Sequence, residues 1–186
     1  MERKIYDKNV LNDFCVKFCR VIEGHAKYII VSGFVAIASG RVRGTEDIDI
    51  IIEKINKKTF TQMHADLEKN SFVAIQSDNP DTLYADYLSN NLSIRYIIED
   101  QPLPEIELKF VKDLLDAYQL KTRTKLPLTS LDLWFSSINM NIAFKEEYLK
   151  SSKDMEDARY LRIVYKGLID EKEINKIKQM IRKHRL

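Results

Sequence analysis

Glycine and proline are scarce in this chain of 186 residues, with five and four respectively, while 45% of residues are hydrophobic and 31% charged. Disorder would need fewer apolar residues and a larger net charge, so a globular chain is expected, long enough for one ordinary domain with a small helical appendage. Cysteine is almost absent. Cys15 and Cys19 stand four apart in a helical stretch, on one helix face, and only His25 lies near. That is too few ligands for a metal grip, so the pair reads as core thiols of a reducing compartment. No apolar run approaches the ~20 residues of a membrane span. Met1-Glu2-Arg3-Lys4 leads into polar sequence with no signal-peptide core behind it, and a cytoplasmic location is the expectation. An excess of one charge is missing too. Thirty Lys/Arg against 28 Asp/Glu leave a net +2, so overall charge does not point to a nucleic-acid partner. His25, His64 and His184 fall in no recognisable catalytic arrangement.

Hydrophobic periodicity organises what is present. Val10, Leu11, Phe14, Phe18, Val21 and Ile22 make a helical stripe over Asn9 to Glu23. Ala26 to Val31 reads as a buried strand, Gly33 to Ala38 as a helix ended by Gly40, and Thr45 to Glu53 as a strand. Lys57 to Asn70 is predicted helical, Phe72 to Gln76 a short strand, and Asp81 to Leu88 a helix. Leu92 to Ile98 and Ile106 to Phe110 are strand candidates separated by Gln101-Pro102-Leu103-Pro104. Val111 to Gln119 is expected to be helical or irregular, and Thr122 to Leu128 extended. After Thr129 everything reads as helical, at about Ser130–Lys150, Lys153–Lys166 and Glu171–His184. The change in character places a subdomain boundary near Leu128, with a core over 1–128 and a helical portion over 129–186 packed on it.

One segment carries chemistry. Ile30-Val31-Ser32-Gly33-Phe34-Val35-Ala36 is an apolar strand followed by a Ser-Gly turn that opens a helix. Gly40-Arg41-Val42-Arg43-Gly44-Thr45-Glu46-Asp47-Ile48-Asp49-Ile50 is a basic loop followed by a strand with Asp-x-Asp. Strand alternation sets Asp47 and Asp49 on one face, about 7 Å apart, with Ile48 and Ile50 on the other. Such carboxylates are hard oxygen ligands suited to Mg²⁺ (or Mn²⁺), whose shell is completed by water and substrate phosphates. Paired aspartates on an exposed strand are ordinarily just solvated. The run Ile50-Ile51-Ile52 marks this strand as buried, where carboxylates need a partner such as a metal. Ser32 and Gly33, about fourteen residues upstream, allow backbone N–H groups to approach a phosphate closely. Arg41 and Arg43 offer contacts to a triphosphate or an acceptor.

Ser32-Gly33 followed by Asp47-x-Asp49 resembles the signature of the DNA polymerase β-like nucleotidyltransferase superfamily. The wider pattern, Tyr28 to Gly33 and Arg43 to Asp49, looks closest to small prokaryotic proteins related to the AbiEii toxin nucleotidyltransferases. Leu131-Asp132, Ile142-Ala143-Phe144-Lys145 and Ser152-Lys153-Asp154-Met155-Glu156-Asp157-Ala158 are similar to that family's C-terminal helices, in which a Lys precedes a Lys-Asp-x-x-Asp-Ala element. The two stretches anchor about residues 26 to 165. The resemblance implies an α+β fold, a palm-like mixed sheet flanked by helices with a C-terminal helical portion. It also implies transfer of a nucleoside monophosphate from an NTP to an acceptor hydroxyl with release of pyrophosphate, two metal ions clamping the attacking and leaving oxygens. RNA, tRNA in particular, is the acceptor it suggests. Two rivals are a catalytically silent nucleotide-binding domain and a toxin–antitoxin component that modifies a partner protein.

The superfamily usually places a third carboxylate on a neighbouring strand. Ile94-Arg95-Tyr96 offers none, whereas Glu107 alternates with apolar residues in Glu105-Ile106-Glu107-Leu108-Lys109-Phe110 and is the nominee. The alternative has Glu105, Glu107 and Lys109 all facing water. Asp47, Asp49 and Glu107 are therefore the candidate catalytic and metal-holding set, with Ser32, Gly33, Arg43 and Lys145 for the nucleotide. Lys145 and Lys153 are otherwise solvated surface lysines, Lys153 in an i,i+4 pair with Asp157, and Asp154 and Asp157 are read as capping and bracing their helix. The basic stretch from Glu171 to Leu186 reads as an ordinary helix end or, alternatively, as a track for an RNA backbone.

Overall fold

The computed structural model describes residues 8–44 and 47–185. Its centre is a five-stranded mixed sheet, ordered β1 (Tyr28–Val31), β2 (Asp47–Ile52), β5 (Gln101–Phe110), β4 (Ile94–Ile98) and β3 (Phe72–Ala74). β2 and β5 run parallel and every other pair is antiparallel. Thr45 and Glu46, expected to open β2, lie outside the described residues.

Alternation divides the sheet into two chemically different faces. Ile48, Ile50 and Ile52 share one face with their parallel partners Ile106, Leu108 and Phe110, and all six are buried. Against this face lie α1 (Lys8–Ile22) and α3 (Lys57–Lys69), with Phe18 packed edge-on to Phe72 and tilted against Tyr96, and His64 against Tyr96. The other face carries Asp47, Asp49 and Ile51 beside Glu105, Glu107 and Lys109. Its β1–β2 half is covered by α5 (Leu114–Lys121). One apolar cluster extends from Leu11 to Ile181, so α6 (Ile138–Phe144), α7 (Ser152–Val164) and α8 (Glu171–Arg185) share their packing with the sheet.

Three local expectations are corrected. Ser130 to Ser137 is not helical: Phe135 bridges both Ile30 and Thr124, and the Ile30 amide donates to the Trp134 carbonyl at 2.9 Å. The segment lies against β1 because the unpaired edge of β1 offers hydrogen bonds that outweigh a weak helical preference. The predicted helix therefore begins only at Ile138, where Ser137 accepts from the Met140 amide and caps it. Gln101-Pro102-Leu103-Pro104 is not a connection but the first part of β5, entered through Asp100 at φ 63°. Asp81 to Leu88 is not one regular helix. A single α-turn, Pro80–Thr82, passes into a wider π-turn at Leu83–Tyr87 and a tighter turn at Leu88–Asn90. Among the described residues no helix is long and apolar enough to cross a membrane.

Burial lowers the pKa of His64 from its ordinary 6.5, and its Nδ1 lies 2.9 Å from the Tyr96 hydroxyl. The folded state thus resists protonation there, while an unfolded chain does not. Stability supplied by neutral His64 is fully present above about pH 6.5 and declines as the pH falls below it toward the lower folded value. Urea unfolding at pH 7.5 and 5.5 checks this: wild type is expected to lose stability on acidification, and His64→Gln to show a smaller loss between the same two pH values.

Candidate functional site

The site is built where β1, β2 and β5 present their polar face. The parallel register sets Asp47 beside Glu105 and Asp49 beside Glu107, and neighbouring strands lie about 4.8 Å apart. Asp49 also stands opposite Val31, immediately before the Ser32 turn. Ser32 occupies the N-cap position of α2 (Gly33–Ala38) with φ 65°, a region costly for a residue with a Cβ, and its side chain makes no cap bond. The Ser32 hydroxyl faces Asp49 instead and favours its ionised form. Burial, with Asp47 and Glu107 nearby, pushes the Asp49 carboxyl up to about 6, against the opposing pull of Lys109 and the Ser32 hydroxyl. An anion destabilised in this way has much to gain from a cation.

A pocket of about 260 Å³ opens beside Asp49. Ser32, Asp49, Asp116, Gln119 and Asn141 supply its neutral and acidic groups, Lys109, Lys112 and Lys145 its cations, and Phe144, Tyr148 and Leu149 an apolar wall. Lys145 begins a π-turn, Lys145–Leu149, that continues α6 and aims the side chain inward. Desolvation lowers its pKa to about 8, opposed by Asp154 at 3.7 Å and reinforced by Arg43. Its ammonium lies 2.9 Å from Asp157.

Asp157 is wholly buried and is the common partner of Lys145, Arg41 and Arg43. Arg41 also pairs with the exposed Glu156 at 2.5 Å. A Cβ on Gly33 would stand 2.8 Å from the Arg43 guanidinium. The glycine therefore makes room for an arginine anchored by α7, a requirement that the sequence alone does not reveal.

No protein-family model and no curated protein matches this sequence significantly. Solved structures do resemble the fold. The antibiotic-resistance factor ANT(2'')-Ia in its solution structure aligns with a TM-score of 0.58 at 15% identity, over 95% of this chain and 94% of that one. ANT(2'')-Ia in complex with adenylyl-2''-tobramycin aligns at 0.55 and 16%, over 95% and 99%. An antigenic nucleotidyltransferase-like protein from Paracoccidioides brasiliensis aligns at 0.52 and 17%, over 95% and 88%. The chain has a nucleotidyltransferase fold.

Within this nucleotidyltransferase fold the nominated residues fall into three groups. Ser32, Asp49 and Lys145 line the pocket. Asp47 and Glu107 lie on the same sheet face; Glu107 has Arg95 at 4.0 Å and Glu105 has it at 3.6 Å. Gly33 and Arg43 form the support of the turn, with Arg43 directed to Asp157. Among the described residues, no three His, Cys, Asp or Glu side chains converge closely enough to enclose a metal ion.

The reading of Lys145 as a solvated lysine is corrected by its burial, and that of Asp157 as a helix brace by its three cationic partners. Asp154 does belong to its cap, where its amide donates to Ser151. Lys109, Lys112, Asp116, Gln119 and Asn141 were not nominated from sequence. Lys109 alone left a signal, by sharing a strand face with Glu107; the others come from separate segments joined only by the fold.

The two carboxylates around Arg41 differ in environment, and so in expected worth. Asp157→Ala leaves three cations without their buried partner and is expected to cost about 3–5 kcal/mol. Glu156→Ala removes a pair whose acidic side chain is 65% exposed and is expected to cost less than about 1 kcal/mol. Denaturant unfolding of both variants measures the contrast.

Proposed function

We propose that this protein is a metal-dependent nucleotidyltransferase, moving a nucleoside monophosphate from an NTP to an acceptor hydroxyl with release of pyrophosphate. The carrying observation is that Ser32 and Asp49 line one pocket together with Lys109, Lys112 and Lys145. One carboxylate of the Asp-x-Asp strand, Asp49, shares this pocket with cations suited to phosphates, and Asp47 lies on the same sheet face. The fold supports the same chemistry, since a neighbour of that fold is seen with adenylyl-2''-tobramycin.

Mg²⁺ (or Mn²⁺) commonly binds one or two carboxylates and takes its remaining ligands from water and substrate phosphates. Asp47 and Asp49 fit that requirement, and the raised pKa of Asp49 fits a site whose charge is completed by a cation. Glu107 would join them from the adjacent strand. Its contact with the half-exposed Arg95 is long at 4.0 Å and, as a surface pair, weak enough to give way. When bound, the metal supplies charge neutralisation at the transferring phosphoryl group and lowers the pKa of the attacking hydroxyl.

The chain's own groups account for the remaining work. Lys145, Lys109 and Lys112 hold triphosphate oxygens, and the Ser32-Gly33 turn fixes the orientation of the phosphates. Lys145, placed by Asp157 and buried, is aimed before substrate arrives, so little reorganisation opposes charge development. Arg43 acts through the turn, where it supports Gly33. The apolar wall of Phe144, Tyr148 and Leu149 gives a base or sugar a surface to pack on. Residues 129–186 then serve as the portion that closes the nucleotide site over the 1–128 core. Closer kinship with AbiEii-type proteins, and with it a toxin–antitoxin setting, rests on the pattern Tyr28 to Gly33 and Arg43 to Asp49, supported by Lys-Asp-x-x-Asp-Ala at Lys153–Ala158.

Incubation of the protein with labelled NTPs, Mg²⁺ or Mn²⁺, and RNA or cell extract tests the proposal. Transfer of label is expected in wild type and is expected to fall more than about 100-fold in Asp47→Asn and Asp49→Asn, because even groups behind metal ligands are worth 10–100-fold. EDTA should abolish it. Metal-dependent NTP binding by wild type without any transfer of label would replace this reading with the catalytically silent one.

A further inference from the structure

Lys112 stands between the pocket beside Asp49 and a second cavity on the other side of α5. This second cavity is a wider groove of about 900 Å³, in which Lys112 is joined by Lys27, Lys54, Lys121 and Arg123. The groove's acidic side chains are Glu53 and Asp113. Five cations against two anions leave a surplus of three, larger than the net +2 of the whole chain.

Both anions are already engaged by backbone amides. Glu53 accepts from the Lys27 amide at 2.7 Å, and Asp113 caps α5 by accepting from Leu115 and Asp116. Among the described residues, Lys27, Lys54, Lys112 and Lys121 take part in no ion pair. Arg123 is held in place without a carboxylate: its Nη1 donates to the Tyr28 carbonyl at 3.2 Å, and its guanidinium lies 4.4 Å from the Trp134 ring centroid. A pre-positioned cation facing a groove of unpaired lysines is the arrangement expected of an anion-binding track.

The basic helix that stands out in the sequence behaves differently. In α8, Lys178 pairs with Glu146 at 2.6 Å and Arg182 with Glu147 at 2.9 Å. Part of its charge is spent inside the helical portion. The groove's cations come instead from four separate places in the chain, Lys54 and Lys112 just past the ends of β2 and β5. From Asp49 to Lys54 is five residues, about 16 Å of extended chain, a separation that a short extended polymer spans.

We propose that the groove is the acceptor surface, and that the acceptor is a single nucleic-acid strand whose phosphates lie along Lys54, Lys121, Lys27 and Arg123 with its terminal ribose hydroxyl directed toward the nucleotide pocket. This rests on the nucleotidyltransferase reading. A regularly spaced polyanion matches an elongated run of unpaired cations better than a compact ligand does, and each phosphate neutralised releases counterions.

The test is binding of a labelled single-stranded RNA oligonucleotide, titrated with salt, to wild type, to Lys27→Gln/Lys54→Gln/Lys121→Gln, and to a control with the same charge change on α8, Lys172→Gln/Lys176→Gln/Lys183→Gln. None of the groove triple lines the nucleotide pocket, so NTP affinity, measured in parallel, reports that the site is intact. The groove variant is expected to bind RNA at least 10-fold more weakly at moderate salt. Its plot of log affinity against log salt should be shallower by about two, at ~0.7 per single-strand phosphate. The α8 control should match wild type. Equal losses in both triples would overturn the groove as the track and leave only general charge attraction. Failure of wild type to bind RNA, or preference for an acidic polypeptide, would overturn the nucleic-acid acceptor. Label transfer dependent on Asp47 and Asp49 to some other acceptor would then keep the nucleotidyltransferase reading, whereas absence of any transfer would remove both.

Discussion

A single buried carboxylate ties the functional face together. Asp157 lies in α7, yet its partners Arg41 and Arg43 come from the loop before β2, and Lys145 from the end of α6. Burying a carboxylate in apolar surroundings is prohibitive unless cations and hydrogen bonds compensate it. Three cations do so, and each is therefore constrained in position. Arg43 is held where it excludes any side chain at residue 33, and Lys145 where it reaches the pocket. The shape of the Ser32 turn and the charge of the pocket are thus set from the helical portion rather than from the sheet alone.

The parallel pairing of β2 with β5 is the second constraint. It places residues separated by nearly sixty positions on the same rungs, Asp47 with Glu105 and Asp49 with Glu107. The raised pKa of Asp49 comes first from its burial, and the acids beside it, Asp47 and Glu107, add to it. A fold that only needed stability would not gather them there. Their neighbours Lys109 and Arg95 relieve part of the repulsion, and the arrangement is one that a divalent cation with phosphate ligands would complete.

Charge is distributed by the fold in a way that a residue count hides. The chain is nearly neutral, but neutrality arises from pairing in some regions and from separation in others. Around α7 and α8 the cations meet carboxylates, as in Arg162 with Glu146 and Glu171. Around the second groove they do not, because the acids there are occupied by backbone amides. Local potential, not net charge, decides which face a charged ligand meets.

The Asp-x-Asp strand, the Ser-Gly turn and the helix that follows it were legible in the sequence, because period-two and period-3.6 patterns are local and the turn chemistry sits between them. So was the sheet face that Glu107 shares with Glu105 and Lys109, since strand alternation fixes which residues share a face. Helical reading failed at Ser130 to Ser137, where the free edge of β1 supplies hydrogen bonds that no local pattern encodes. Asp157 read as a brace of its own helix, because two of its cationic partners lie on a loop more than a hundred residues away. Lys112, Gln119 and Asn141 carried no motif at all. The sequence by itself determined the strand that holds the carboxylates and the turn beside it, since both follow from short-range alternation. Only the tertiary structure decided which cations face them, since an ion pair or a pocket wall is a long-range contact between segments whose local patterns are unrelated.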